Sequence, residues 1–158
     1  MGYIELDVVN NDAPRVVIGI DRGTTSSLAA LAEDPGPRVL TPDGLSASIP
    51  GVVHVPAEGN PVVGTDAKAQ AMVDPEHTVF SVKRMMGRGV EDLDLANNPL
   101  PYKVLEDDRK LAMVELHGKR MTPQELSAWI LVGVLEHAPK ATGSEVAAAV
   151  ITVPAYFD

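Results

Sequence analysis

The sequence predicts an α/β fold, a mixed sheet with flanking helices and a small α+β subdomain inserted into it. Three observations predict it. Val16–Ile20 and Ala147–Val153 are unbroken apolar runs of strand length, as expected of strands covered on both faces. Thr122-Pro123-Gln124-Glu125 opens a long stretch of helical periodicity between them. The 158 residues suffice for one domain with a true core. No internal repeat or low-complexity tract interrupts them.

Residues 1–14 read as a flexible leader, and 15–158 as the folded part. After the first strand, Ser27–Ala32 is its returning partner across a short Asp-Arg-Gly-Thr-Thr connection. Pro35-Gly36-Pro37 breaks the chain, Arg38–Leu40 is a third strand, and Thr41-Pro42-Asp43-Gly44 is a turn. The insertion spans about 48–118. In it Ile49–Val55 and Pro61–Val63 are strands around Glu58-Gly59-Asn60, and Asp66–Met72 is a short helix with Asp66 as N-cap. Asp74-Pro75 stops that helix. Thr78–Met86 is apolar but carries Lys83 and Arg84, and Gly87 closes it. Tyr102–Leu105 and Leu111–Leu116 form a second strand pair around a charged turn.

The long helix starts with a capping box, Thr122 with Glu125, and has Pro123 in the first turn. Leu126, Ile130, Gly133 or Val134, and His137 follow at helical spacing, with Trp129 beside that stripe in the core. Pro139 is expected to stop or bend it. Pro154 terminates the last strand.

The totals exclude several classes. Asp and Glu number 22 against 13 Lys and Arg, a net charge of −9, which argues against a nucleic-acid partner, since a phosphate backbone needs basic surface. There is no cysteine, so disulfides and thiolate chemistry are out. No apolar run approaches the roughly 18 residues of a membrane span, and the N-terminus lacks the pattern of a signal peptide. The expected location is the cytoplasm, with no membrane partner. His54, His77, His117 and His137 show no metal-ligand spacing in the sequence and read as surface or core residues.

One motif carries chemistry. The first strand ends in Asp21, and Arg22-Gly23-Thr24-Thr25-Ser26 follows directly. A carboxylate can hold a hydrated divalent cation. Gly23 lets the backbone approach a ligand closely, and Thr24, Thr25 and Ser26 add hydroxyls to backbone N–H groups. The plain alternative is a polar turn after a core strand. For Lys83 and Arg84 the plain alternative is a solvated pair, although Val79-Phe80-Ser81-Val82 and Met85-Met86 give them an apolar setting. Arg22 adds a phosphate contact, snorkels to the surface or pairs with an acidic neighbour; the latter two are favoured.

Three segments together resemble the ATPase domain of the DnaK-type seventy-kilodalton heat-shock chaperones: Ile18–Ser27, Val79–Arg88 and Val150–Asp158. Weaker similarity at 63–68 and 119–123 extends this to nearly everything from Val16 onward. The first segment is also similar to the phosphate motif of glycerol-kinase-type carbohydrate kinases, which share the actin-like, ribonuclease H-like ATPase fold. The Lys-Arg-x-x-Gly-Arg run and the Ile-Thr-Val-Pro-Ala-Tyr-Phe strand end favour the chaperones.

The resemblance implies an ATPase whose cycle of ATP binding and hydrolysis to ADP drives binding and release of unfolded peptides. J-domain co-chaperones and nucleotide-exchange factors are the implied partners. Asp21 would hold water around Mg²⁺, while Gly23, Thr24, Thr25 and Ser26 bind phosphate. Lys83 would be the catalytic lysine, with Arg84 contributing to the same cleft and Pro154 acting as a switch. Members of that family carry a catalytic glutamate, a second phosphate loop, a second lobe and a peptide-binding domain beyond the span matched here. The chain thus corresponds to most of the first lobe, and alone it is expected to be essentially inactive. A carbohydrate kinase and a nucleotide-independent interaction domain remain as alternatives.

Overall fold

The computed structural model describes residues 3–5, 15–41 and 46–153. In chain order its strands are β1 (Tyr3–Glu5), β2 (Arg15–Arg22), β3 (Ser26–Leu31), β4 (Arg38–Val39), β5 (Ile49–Pro50), β6 (Val52–His54), β7 (Val62–Val63), β8 (Thr78–Phe80), β9 (Lys103–Glu106), β10 (Ala112–Leu116), β11 (Lys119–Met121) and β12 (Glu145–Ile151). The helices are α1 (Thr65–Gln70) and α2 (Pro123–Thr142), with short 3-10 turns at Pro75–His77, Val82–Arg84 and Val90–Asp92. Two compact units result: Met1–Ile49 with Val134–Asp158, and Pro50–Gly133.

The first unit is built on a mixed sheet in the order β1-β12-β2-β3-β4, with β5 also on β3. β2 and β12 run parallel, and β2 and β3 form the expected antiparallel hairpin, from Ile18↔Leu31 to Arg22↔Ser27. Tyr3–Glu5, within the stretch read as a leader, pairs antiparallel with the far edge of β12. That pairing satisfies backbone groups an edge strand would otherwise leave open. The expected turn at 41–44 lies almost wholly outside the described residues.

The expectation that the first strand is covered on both faces is overturned. Burial along β2 alternates: Ile18 and Ile20 are enclosed, whereas Val17 is 51% exposed. A five-residue apolar run cannot distinguish one covered face from two, because period-2 alternation needs polar residues to become visible. Val150 lies opposite Gly19, and Leu28 opposite Asp21, so both share the outward face of Val17. They too are substantially exposed.

The second unit holds two antiparallel three-stranded sheets, β7-β6-β8 and β11-β10-β9. Its core joins Val53 and Val79 of the first sheet to Val114 and Leu116 of the second, with Val82, Met85, Leu126 and Ile130 between. Leu126 and Ile130 belong to α2, which is why this unit extends beyond the insertion expected at about 48–118. Ile49–Val55 is not one strand: Ile49–Pro50 and Val52–His54 belong to different sheets, divided at Gly51. A proline at the division supplies no N–H to a ladder, which favours the break. β11 escaped the sequence reading. It follows a two-residue turn, His117-Gly118, with φ of 49° and 74°, the positive-φ pair that matches strand twist.

Two helix ends differ from expectation. Gly64, not Asp66, is the N-cap of α1, and Asp66 sits inside the first turn, where a carboxylate still favours the helix dipole. α2 has its expected box: the Glu125 N–H donates to Thr122 Oγ1 (3.1 Å), and the Thr122 N–H donates to Glu125 Oε2 (2.7 Å). It does not stop at Pro139 but runs to Thr142. Val134 and Ala138, both buried, offset the hydrogen bond that proline removes. Gly143, at φ 65°, supplies the left-handed residue that ends the helix.

Candidate functional site

β2 and β12 end side by side, at Arg22 and Ile151. The carboxyl ends of neighbouring parallel strands are where α/β sheets place ligands. Thr152, the next residue after β12, ties the two ends together. Its N–H donates to the Ile20 carbonyl (3.0 Å), and its hydroxyl accepts from the Arg22 N–H (3.1 Å) and donates to Asp21 Oδ1 (2.7 Å). One hydroxyl proton and two lone pairs allow this double use. The Asp21 side chain is thus oriented by a residue 131 positions away, while it stays exposed to solvent.

The turn that follows is tight. A Cβ on Gly23 would lie 2.6 Å from the Ser26 carbonyl oxygen, well inside van der Waals contact, so only glycine fits without moving backbone. The turn exposes Thr24 and Thr25, and Ser26 is half-buried at the start of β3. Asp21, Gly23, Thr24, Thr25 and Ser26 are therefore brought together on one strand-turn-strand connection. A carboxylate and adjoining hydroxyls on a close backbone turn are chemically suited to a hydrated divalent cation and the anionic oxygens of a phosphate.

Arg22 does not snorkel, contrary to expectation. Alternation along β2 turns it to the inward face, opposite to Asp21, and it is 6% exposed. Burial lowers its pKa from the ordinary arginine value. It therefore points away from the face that carries the turn's carboxylate. Pro154 lies outside the described residues.

Lys83 and Arg84 belong to the second unit, on the 3-10 turn Val82–Arg84. That turn is pinned from both ends. Val82 and Met85 are each 1% exposed, and the buried Tyr102 hydroxyl donates to the Phe80 carbonyl (2.6 Å) just before it. Ser81 enters the turn in the left-handed region, φ 57°, a conformation that costs a non-glycine residue energy and persists where packing enforces it. The two cations differ in setting. Arg84 is exposed and lines a cavity of about 180 Å³ with Arg88, Asp92, Asp94 and Tyr102. Lys83 is half-buried and is not among the residues lining that cavity.

Two features were missed in the sequence. Thr152 lies within Val150–Asp158, but nothing local marks it as the partner of Asp21. The histidines, read as showing no ligand spacing, include a stacked pair. His77 and His117 have ring centroids 3.6 Å apart, and Asp74 lies beside them. The β10–β11 hairpin closes that separation of forty positions, and no sequence interval announces it.

Comparisons with known proteins agree on one family. The family model described as Hsp70 protein matches residues 17–158. A chaperone protein HscA homolog from Janthinobacterium sp. (strain Marseille) is 42% identical over 144 residues, covering 91% of this chain and 23% of the relative. A chaperone protein HscA homolog from Herminiimonas arsenicoxydans is 41% identical over the same extent. The chain thus spans about a quarter of the length of these relatives. Among the described residues, no helix is long and apolar enough to cross a membrane.

Proposed function

The chain belongs to the Hsp70 family, and from that premise we propose that it forms part of the first lobe of an actin-like chaperone ATPase. In the complete protein that ATPase would couple ATP binding and hydrolysis to the binding and release of unfolded peptides, in the cytoplasm. J-domain co-chaperones and nucleotide-exchange factors would be its partners. The observation that carries the reading is the Asp21 carboxylate held by Thr152 at the head of the Gly23 turn. It places an oriented anion next to exposed hydroxyls, at the strand ends where α/β proteins bind ligands.

Asp21 would hold waters of Mg²⁺, and Gly23, Thr24, Thr25 and Ser26 would receive phosphate oxygens through hydroxyls and amides. Bound Mg²⁺ supplies neutralisation of phosphate charge. Lys83 would serve as the catalytic lysine, a compact cation able to face a phosphate oxygen or an attacking water. Arg84 has a lesser claim, since its side chain lines a cavity shared with Asp92 and Asp94. Pro154 would have its switch role only in the complete protein.

The test has two arms. Titration calorimetry of the 158-residue chain with Mg·ATP should give binding weaker than micromolar and no turnover, because each ~1.4 kcal/mol of missing contacts costs tenfold in affinity. In a chain extended to the length of its relatives, Lys83→Ala should abolish hydrolysis and spare most of the binding, whereas Asp21→Asn should weaken Mg·ATP binding. Turnover that survives Lys83→Ala overturns the role of that lysine. Nucleotide binding indifferent to Asp21→Asn and Thr24→Val together would instead favour a domain that acts without this site.

A further inference from the structure

Three metal-ligating side chains, distant in sequence, meet in the second unit. Asp74 precedes the 3-10 turn that ends at His77, and His117 is at the tip of the β10–β11 hairpin. One ligand atom from each lies within 4.8 Å of the other two. His77 Nδ1 is 2.7 Å from Asp74 Oδ1, and His117 Nε2 is 3.0 Å from the Val55 carbonyl oxygen. The imidazole rings stack at 6°.

The hydrogen bonds fix the protons. A carbonyl oxygen only accepts, so Nε2 of His117 carries hydrogen and Nδ1 of the neutral ring keeps its lone pair. The His77 Nδ1 proton is donated to Asp74, and that bond holds the Asp74 carboxyl below its usual range. The group is framed from behind. The Thr78 hydroxyl donates to the Asp74 backbone carbonyl (2.7 Å), so His54 Nδ1, 3.1 Å from the same hydroxyl oxygen, is the donor there. In front, His77 and His117 line an open cleft of about 420 Å³ with Glu76, Lys103 and Glu115.

We propose that Asp74, His77 and His117 bind one divalent transition-metal ion of the zinc type. Two imidazoles and a carboxylate are the donor set such ions take, and the cleft leaves the remaining positions to water. The ion takes the place of the proton between His77 Nδ1 and Asp74 Oδ1, and that proton leaves to solvent. An ion lies near the plane of each ring that binds it. The parallel rings cannot both satisfy this as they stand, so His117 turns out of the stack on binding. Its exposed position beside Gly118 at the hairpin tip permits that turn.

The site is tested with Zn²⁺ by calorimetry and with Co²⁺ by visible absorption, on the whole chain. One equivalent should bind with a micromolar or tighter constant, and the ring resonances of His77 and His117 should move together. His117→Asn, which tolerates the left-handed backbone, and Asp74→Asn should each weaken binding about tenfold or more. His137→Gln should leave it unchanged. Equal urea midpoints for the variants and the parent would establish that a loss reports ligation. Failure to saturate with one equivalent, or variants that bind as the parent does, would overturn the site.

Discussion

The central strands of the two units enclose their apolar residues to different degrees, although the most exposed apolar side chains, Met72 and Val73 after α1, belong to the second unit. In the second, Val53, Val79 and Val114 have no exposed surface, and Leu126 arrives from α2 to finish the same core. In the first, Ile18 and Ile20 are as well enclosed, but Val17 is half exposed, with Val150 and Leu28 on the same face of the sheet. Asp21 belongs to that open face by the alternation of β2. Identical residue types thus serve two ends. In Pro50–Gly133 they complete a core, and in the mixed sheet they complete one side and leave the other beside the candidate phosphate turn.

The largest effect that would break this comparison is in the second unit. Leu126→Ala should lower stability by about 2–5 kcal/mol, since it opens a cavity within a cluster of enclosed side chains. Urea unfolding measures it. A loss below about 1 kcal/mol would mean that this core is no better closed than the first unit's sheet. Gly133→Ala should follow. Helix propensity alone would make the substitution favourable by about 1 kcal/mol. A Cβ there would run into the Val63 side chain, and overpacking of that kind costs about 1–3 kcal/mol. A net loss is expected. A gain would show that β7 yields easily, and that the second unit is less tightly packed than its burial suggests.

What was legible in the sequence follows from range. The capping box at Thr122 and Glu125 is a four-residue signal and formed as written. The β2–β3 hairpin, with only a short connection to close, was legible for the same reason. The composition of the Asp21–Ser26 turn was legible because its chemistry is contiguous. What failed needed partners far away. Whether Val17 is covered depends on what packs over the sheet. Pro139 stays helical because Val134 and Ala138 are buried around it. Thr152 orients Asp21 across 131 positions, and His117 reaches His77 only through a hairpin whose first left-handed residue is not glycine.

At the boundary between sheet and site, Thr152→Val should have a smaller effect on stability, about 1 kcal/mol. It removes a hydroxyl that serves both the Asp21 carboxylate and the Arg22 N–H. Its sharper consequence is orientational. With the hydroxyl gone, the Asp21 side chain loses its hydrogen bond to the residue that follows β12, so its range of accessible rotamers widens. The Asp21 carboxylate resonance should shift while the β2–β12 amides keep their protection from hydrogen exchange. Loss of that protection would mean that Thr152 holds the strands rather than the carboxylate.

The smallest expected effect is the most discriminating when paired. Val→Thr keeps shape and exchanges a methyl for a hydroxyl, so its cost reports whether water is present at the site. At Val53, which has no exposed surface, the hydroxyl is buried and the cost should be about 1–3 kcal/mol. At Val17, half exposed on the open face of the sheet, it stays hydrated and the change should lie within about 0.5 kcal/mol. The difference between the two variants is then a direct measure of how far the two positions differ in closure. If Val17→Thr cost as much as Val53→Thr in the isolated chain, something covers the face that carries Asp21, and the turn at Gly23 would open onto a shielded surface rather than onto water.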